Sequence, residues 1–197
     1  MLKNFCILCL LFMMISCSNN NHIKISSIVC FGDSLTQGYG AVENKNYPYY
    51  LQQLTGITVI NKGINGNTSK DGLDRIDDIL KIQNAIVIVE FGANDFFQQI
   101  PLNETKKNME QIVDKLQNSG NTVVIVSTED SQLKNQYNML KKIAKEKKVL
   151  FIDGILNEIW TDRSLFSDDI HPNSLGYKLI AQKIYKNIKH LLEKNNK

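Results

Sequence analysis

Short apolar runs alternate with longer amphipathic stretches through most of this chain. Five runs have strand length: Ser27 to Phe31, Thr58 to Asn61, Ala85 to Phe91, Thr122 to Ser127 and Val149 to Ile152. Two of them, Ala-Ile-Val-Ile-Val from 85 and Val-Val-Ile-Val from 123, have no polar residue between the apolar ones. That continuity marks strands covered on both faces. Between the runs, Met109, Ile112, Val113 and Leu116 fall at helical spacing, and Leu179, Ile180, Ile184, Ile188 and Leu191 do so near the C-terminus. The alternation predicts an α/β fold with a five-stranded parallel sheet covered by helices, both stripes being core contacts rather than cofactor boxes.

Ahead of this pattern the polarity has a different plan. Lys3 precedes eleven apolar residues from Phe5 to Ile15, followed by Ser16-Cys17 and a polar stretch to Lys24. A membrane span needs about 20 apolar residues, so the run fits a signal peptide better than a span. The stretch Met14-Ile15-Ser16-Cys17 resembles a bacterial lipobox. That resemblance implies a signal peptide over 1–16, cleavage before Cys17, and acylation of its thiol and amine. Residues 17–25 would then link the lipid to a domain over 26–197 held at the cell envelope, on a periplasmic or extracellular face. Several acyl chains anchor firmly, at about 0.8 kcal/mol per buried CH₂. Ordinary secretion with cleavage near Ser18, or a retained anchor, is the alternative. On that reading, of the four cysteines Cys6 and Cys9 would leave with the leader and Cys17 would carry lipid, leaving Cys30 alone as a packing residue without a disulfide partner.

Composition adds little beyond exclusions. With 43% hydrophobic and 22% charged residues the chain has an ordinary soluble composition, and its net charge of +3 is too small to argue for nucleic acid. No repeat or Pro-rich or Gly-rich linker divides it. Nothing in the pattern sets an oligomeric state.

Three polar, glycine-containing stretches follow the first three strands: "GDSLTQG" with Ser34, "NKGINGNTS" with Gly66 and "GANDFF" with Asn94. In an open parallel sheet such loops gather at the carboxyl ends of the strands. A serine hydroxyl becomes a useful nucleophile only when a base takes its proton, and histidine suits that role near neutral pH. His22 lies in the linker and His190 near the C-terminus, whereas His171, in "SDDIHPN", stands just before the last helix. Asp168, three residues earlier, can reach one imidazole nitrogen across a tight turn while the other nitrogen faces the serine. Asp169 is the rival, at a less suitable spacing. His171 can also be a plain loop histidine ahead of Pro172, with Asn173 capping the helix. Acyl transfer needs donors for an oxyanion as well: the Ser34 and Gly66 backbone N–H groups and the Asn94 side-chain amide are candidates. Phosphate binding fits poorly, since "GDSLTQGYG" lacks the Lys-Ser/Thr ending of a P-loop and "GINGNT" does not open as a dinucleotide fingerprint.

Four ordered blocks, "GDSLTQGYG", "NKGINGNTSKDGL", "GAND" and "DDIHPNSLGY", resemble the SGNH or GDSL hydrolases over about Ile28 to Ile188. The resemblance implies a three-layer flavodoxin-like fold and a triad of Ser34, His171 and Asp168. It also implies an oxyanion hole made by the Ser34 and Gly66 amides and the Asn94 side chain, with no metal or organic cofactor. Within the family, the likeness is to compact bacterial arylesterases, acyl-thioesterases and lysophospholipases, which implies a small-molecule ester or lipid substrate. Phe96, Phe97, Ile100 and Tyr39 are candidates to line an acyl pocket, and the "STEDSQLKNQY" segment to border it. A carbohydrate O-deacetylase of the same fold and a non-catalytic surface binding lipoprotein are the alternatives.

Overall fold

Strand residues here sort by parity, and the parity builds three layers. In the computed structural model, which describes residues 25–128 and 131–193, the strands are β1 (Ser27–Gly32), β2 (Val59–Gly63), β3 (Ala85–Glu90), β4 (Thr122–Val126) and β5 (Leu150–Ile152). The helices are α1 (Ser34–Gln37), α2 (Tyr47–Thr55), α3 (Ser69–Asp74), α4 (Asp77–Leu80), α5 (Ala93–Phe97), α6 (Leu102–Asn118), α7 (Lys134–Lys147) and α8 (Ser174–Glu193). Ile28, Cys30, Ile86, Ile88, Val124 and Val126 face α2 and α8, where Tyr47, Leu51, Tyr177, Ile180, Ile184 and Ile188 meet them. The alternate residues Val29, Phe31, Val87, Val89, Val123 and Ile125 face α6 and α7, against Met109, Ile112, Val113, Leu116 and Ile143. Almost all are sealed from solvent, each fully buried aliphatic side chain contributing about 1.5–3 kcal/mol.

All pairings are parallel and the strand order is β2-β1-β3-β4-β5. The chain leaves β1 outward to β2, then crosses back to β3 on the other side of β1. This reversal opens a crevice beyond the carboxyl ends of β1 and β3, the place where open α/β sheets bind ligands. The five strands predicted from the apolar runs are the five observed, with small shifts at their ends. The largest is in β2, which runs on through Lys62 to Gly63, pairing Phe31 with Lys62 and Gly32 with Gly63. As an edge strand it has solvent on one side and tolerates polar residues that an apolar-run criterion rejects.

The predicted signal peptide, Cys17 and most of the linker lie outside the described residues. Cys30 is fully buried, and desolvation pushes its thiol up to about 12, as suits a packing residue. Among the described residues, no helix is long and apolar enough to cross a membrane.

Candidate active site

Ser34 is the first residue of α1, directly after β1. Asp33 ends the strand's approach by turning its Oδ1 to accept the Leu35 N–H at 3.0 Å, an N-cap that starts the short helix at the serine. Gly38, at φ 95°, ends it in the left-handed region. The helix lies so close to β2 that a Cβ on Gly63 would collide with the backbone of Thr36 and Gln37. Ser34 is consequently well fixed and only 8% exposed.

The partner of the serine arrives from far along the chain. His171 Nε2 lies 3.0 Å from Ser34 Oγ, and His171 Nδ1 lies 2.8 Å from Asp168 Oδ2. Their loop is tight: the Ser167 N–H and hydroxyl both donate to the His171 carbonyl, and Arg163 Nη2 donates to the Asp168 carbonyl at 3.0 Å. Asp168 Oδ1 accepts the N–H groups of Ile170 at 2.8 Å and His171 at 2.7 Å. Partial burial pushes the Asp168 carboxyl up, but those two N–H groups and the imidazole outweigh it and hold the carboxyl below its usual range. With Nδ1–H donating to this anion, Nε2 is left as the acceptor for the serine proton. Asp169 makes no contact with the imidazole: its exposed carboxylate lies 3.4 Å from Arg163 Nη2, at the edge of the cavity beside Ser34. Asn173 does cap α8, accepting from Leu175 N and Gly176 N, so the cap and the Ser34 contact coexist in one segment.

The three polar stretches do meet, though each loop is shorter than its glycines suggest, because α1, α3 and α5 begin within them. Asn94 Nδ2 donates one hydrogen to Asp33 Oδ2 and the other to the Asn67 carbonyl, both at 3.0 Å. An oxyanion would therefore share one of these hydrogens. The N–H groups of Ser34 and Gly66 have no protein acceptor among the described residues. Gly66 sits in an exposed turn at φ 78°, its carbonyl accepting from Gln98 Nε2, while Gln37 Oε1 accepts the neighbouring Asn65 N–H at 2.6 Å. Two carboxylates with no part in the sequence reading hold this frame. Asp33 ties Asn94 to α1, and the buried Asp95 accepts from both the N–H and the hydroxyl of Ser69, at 2.8 and 2.5 Å. The Asp in each of "GDS" and "GAND" was the available signal, since a short acid beside glycine is a common local cap.

A cavity of about 360 Å³ opens beside Ser34 and His171. Its apolar wall comes from Leu35, Leu133, Leu156, Trp160, Ile170 and Phe97, with Asn65, Thr128 and Gln132 as polar points. Of the four residues expected to line it, only Phe97 does so. Tyr39 instead packs on the imidazole, ring centroids 4.6 Å apart, and Phe96 packs edge-on against Phe97. Ile100 lies past the end of α5, away from the lining. The segment after β4 does border the cavity, through Thr128, Gln132 and Leu133. Leu156, Trp160 and Ile170 carry no sequence signal, because the apolar pairs Ile155-Leu156 and Ile159-Trp160 and the single Ile170 stand in an irregular loop after β5 with neither helical nor strand periodicity. Among the described residues, no three His, Cys, Asp or Glu side chains are grouped to hold a metal ion.

A serine, a histidine and an aspartate in hydrogen-bond sequence, beside an apolar cavity at the switch point of a doubly wound sheet, form the arrangement found in serine hydrolases. The chain belongs to the GDSL-like Lipase/Acylhydrolase family, whose profile matches residues 30–179. It is 26% identical to the Arylesterase of Vibrio mimicus over 178 residues, covering 83% of this chain and 89% of the relative. It is 27% identical to Thioesterase 1/protease 1/lysophospholipase L1 of Escherichia coli K12 over 176 residues, 84% of this chain and 85% of that one. The crystal structure of the psychrotrophic esterase EstA from Pseudoalteromonas sp. has the same fold, with a TM-score of 0.76 and 24% identity over 85% of this chain and 99% of EstA.

Proposed function

We propose that this protein is a serine esterase that hydrolyses carboxylic esters with apolar acyl chains. The observation that carries the reading is the unbroken Ser34–His171–Asp168 hydrogen-bond series opening on an apolar cavity. His171 Nε2 takes the Ser34 proton as Oγ attacks the ester carbonyl, and Asp168 stabilises the imidazolium that forms. The carbonyl oxygen gains negative charge beside the Ser34 and Gly66 N–H groups and the Asn94 amide. The C–O bond then breaks, the alcohol leaves with the proton from His171, and the acyl group stays on Ser34. Water repeats the sequence, losing its proton to His171, and releases the carboxylic acid. Aryl esters, acyl thioesters and lysophospholipids are the substrate classes that the names of the relatives support. We also propose that an acylated Cys17 tethers the domain to the cell envelope, a reading that rests on the lipobox alone. The deciding experiment is hydrolysis of p-nitrophenyl esters from acetate to decanoate by the full chain in detergent. Release by the wild type and its loss in Ser34→Ala is the expected result; equal release by both, or none by a folded wild type, would sink the reading.

A further inference from the structure

Glu90 ends β3, in the middle of the sheet, and is 3% exposed. A glutamate so placed ordinarily needs a cation, because burial strips the carboxylate of its hydration and nothing else offsets the charge. None is there among the described residues: the nearby guanidinium of Arg75 lies over the Phe31 and Phe91 rings and bonds to the Gly32 and Lys62 carbonyls. What Glu90 has instead is another carboxyl group. Its side chain comes within hydrogen-bonding reach of that of Asp33, and its Oε2 accepts the Thr36 hydroxyl at 3.1 Å and, at a long 3.4 Å, the Asp33 N–H.

Two buried acids in contact with no cation share a proton, and the surrounding donors decide where it resides. Asp33 accepts two N–H groups, from Leu35 at Oδ1 and Asn94 at Oδ2, and also feels the His171 imidazole. Glu90 has the weaker set. Burial pushes both acids up, and the charge of Asp33 drives Glu90 further, well above the usual carboxylate range. The stronger set of donors thus favours Asp33 as the anion and Glu90 as the holder of the proton. The Thr36 hydroxyl has a single proton and spends it on Glu90 Oε2, which leaves it to accept from the Tyr47 hydroxyl at 3.1 Å. Every donor in the chain from Tyr47 through Thr36 and Glu90 to Asp33 then has an acceptor.

We propose that Glu90 is a positioning residue, a neutral carboxylic acid that donates its proton to Asp33 and so holds the Asp33 carboxylate where it grips the Asn94 amide and the start of α1. Its kinetic half rests on the esterase reading above. Loss of the Glu90 proton would set two anions against each other one residue from the Ser34 nucleophile. Asp33 would shift, and with it the aim of Asn94. The other groups facing Glu90 do not compete for this titration. Tyr47 from α2 and Tyr177 from α8 are both pushed up by burial, Cys30 on β1 up to about 12, and Ser127 and Gln136 across a small void are uncharged.

The test combines kcat and KM for a p-nitrophenyl ester from about pH 6 to about pH 10 with an infrared spectrum of the full chain at about pH 7. Wild type is compared with Glu90→Gln, whose amide can donate to Asp33 but cannot ionise, and with Glu90→Ala. Wild type should lose kcat on the alkaline side with KM little changed. Glu90→Gln should retain kcat within about 3-fold at neutral pH and keep it through that range, whereas Glu90→Ala should fall about 10-fold or more at every pH. The infrared carbonyl band of a protonated carboxylic acid should be present in wild type and absent in Glu90→Gln. A missing band in wild type overturns the proposal whatever the activity. So does an alkaline loss that persists in Glu90→Gln, or a Glu90→Gln rate as low as that of Glu90→Ala. A wild type that cleaves no ester defeats the esterase reading alone, and the band still decides the protonation of Glu90.

Discussion

The Asn94 amide donates to Asp33 Oδ2 at 3.0 Å and so ties the segment after β3 to the residue that precedes Ser34. β1 and β3 are neighbours in the sheet, whereas Asp33 and Asn94 are 61 residues apart along the chain, and this bond sets the relative position of serine and amide. Asn94→Ala removes it together with a candidate oxyanion donor. The expected loss in kcat is on the order of 10²–10³-fold with KM little changed, read by steady-state hydrolysis of a short p-nitrophenyl ester. A change confined to KM would place Asn94 in substrate binding instead.

Asp168→Asn should keep the loop, since an amide oxygen can still accept from the Ile170 and His171 N–H groups. Its NH₂, turned toward the imidazole, would demand the opposite tautomer and take Nε2 away as a base. The expected fall in kcat is on the order of 10³–10⁴-fold. The pH dependence of stability separates this from a folding defect. The carboxyl is held below its usual range in the folded state, so its contribution is present above about pH 4 and lost as pH falls through the lowered value. Melting temperatures of wild type and variant should therefore differ at neutral pH and converge in acid.

Gly63→Ala tests how closely α1 must sit on β2. The added methyl would meet the backbone of Thr36 and Gln37, which cannot rotate away. Overpacking of this kind costs roughly 1–3 kcal/mol, read as a lower denaturant midpoint, and the displaced α1 should lower kcat as well. Unchanged stability and rate would show the helix free to shift.

Phe97 and Ile100 should behave differently. Phe97 lines the cavity and is 52% exposed, so the fold does not depend on its ring. Phe97→Ala should lower kcat/KM for decanoate about 10-fold while leaving acetate within about 2-fold. Ile100→Ala should alter neither. The ratio of the two esters for each variant is the measurement, and equal effects of the two substitutions would count against this wall as the acyl site.

Cys17→Ala should abolish incorporation of radiolabelled palmitate into the chain expressed in a bacterium and release it from the membrane fraction. Label retained by the variant would rule out acylation at this residue.

Much of this architecture was legible before any coordinates, for identifiable reasons. Strands such as Ala85 to Val89 are covered on both faces, so burial writes itself into an unbroken apolar run. Ser34, Asp168 and His171 could be paired because one histidine lies on a rigid loop and a carboxylate stands three residues before it. The cavity wall was opaque, since Leu133, Leu156 and Ile170 meet only through loops distant in sequence, which no periodicity records. The burial of Asp33 and Glu90 was opaque for another reason. At the end of an apolar run an acid reads as the strand emerging into water, whereas both of these are buried. Residue type alone does not distinguish a solvated carboxylate from a buried one that shares a proton.

The parallel sheet has one further consequence. All five strands start at one edge and finish at the other, and Ile25, the first described residue, lies at the starting edge beside Gly56 and Ile57. The cavity lies past the finishing edge, about 20 Å away along a strand of six residues. A lipid attached ahead of Ile25 would hold the molecule by its heel. The mouth would then face away from the point of attachment, so that an ester would be met on the side of the domain turned from the bilayer.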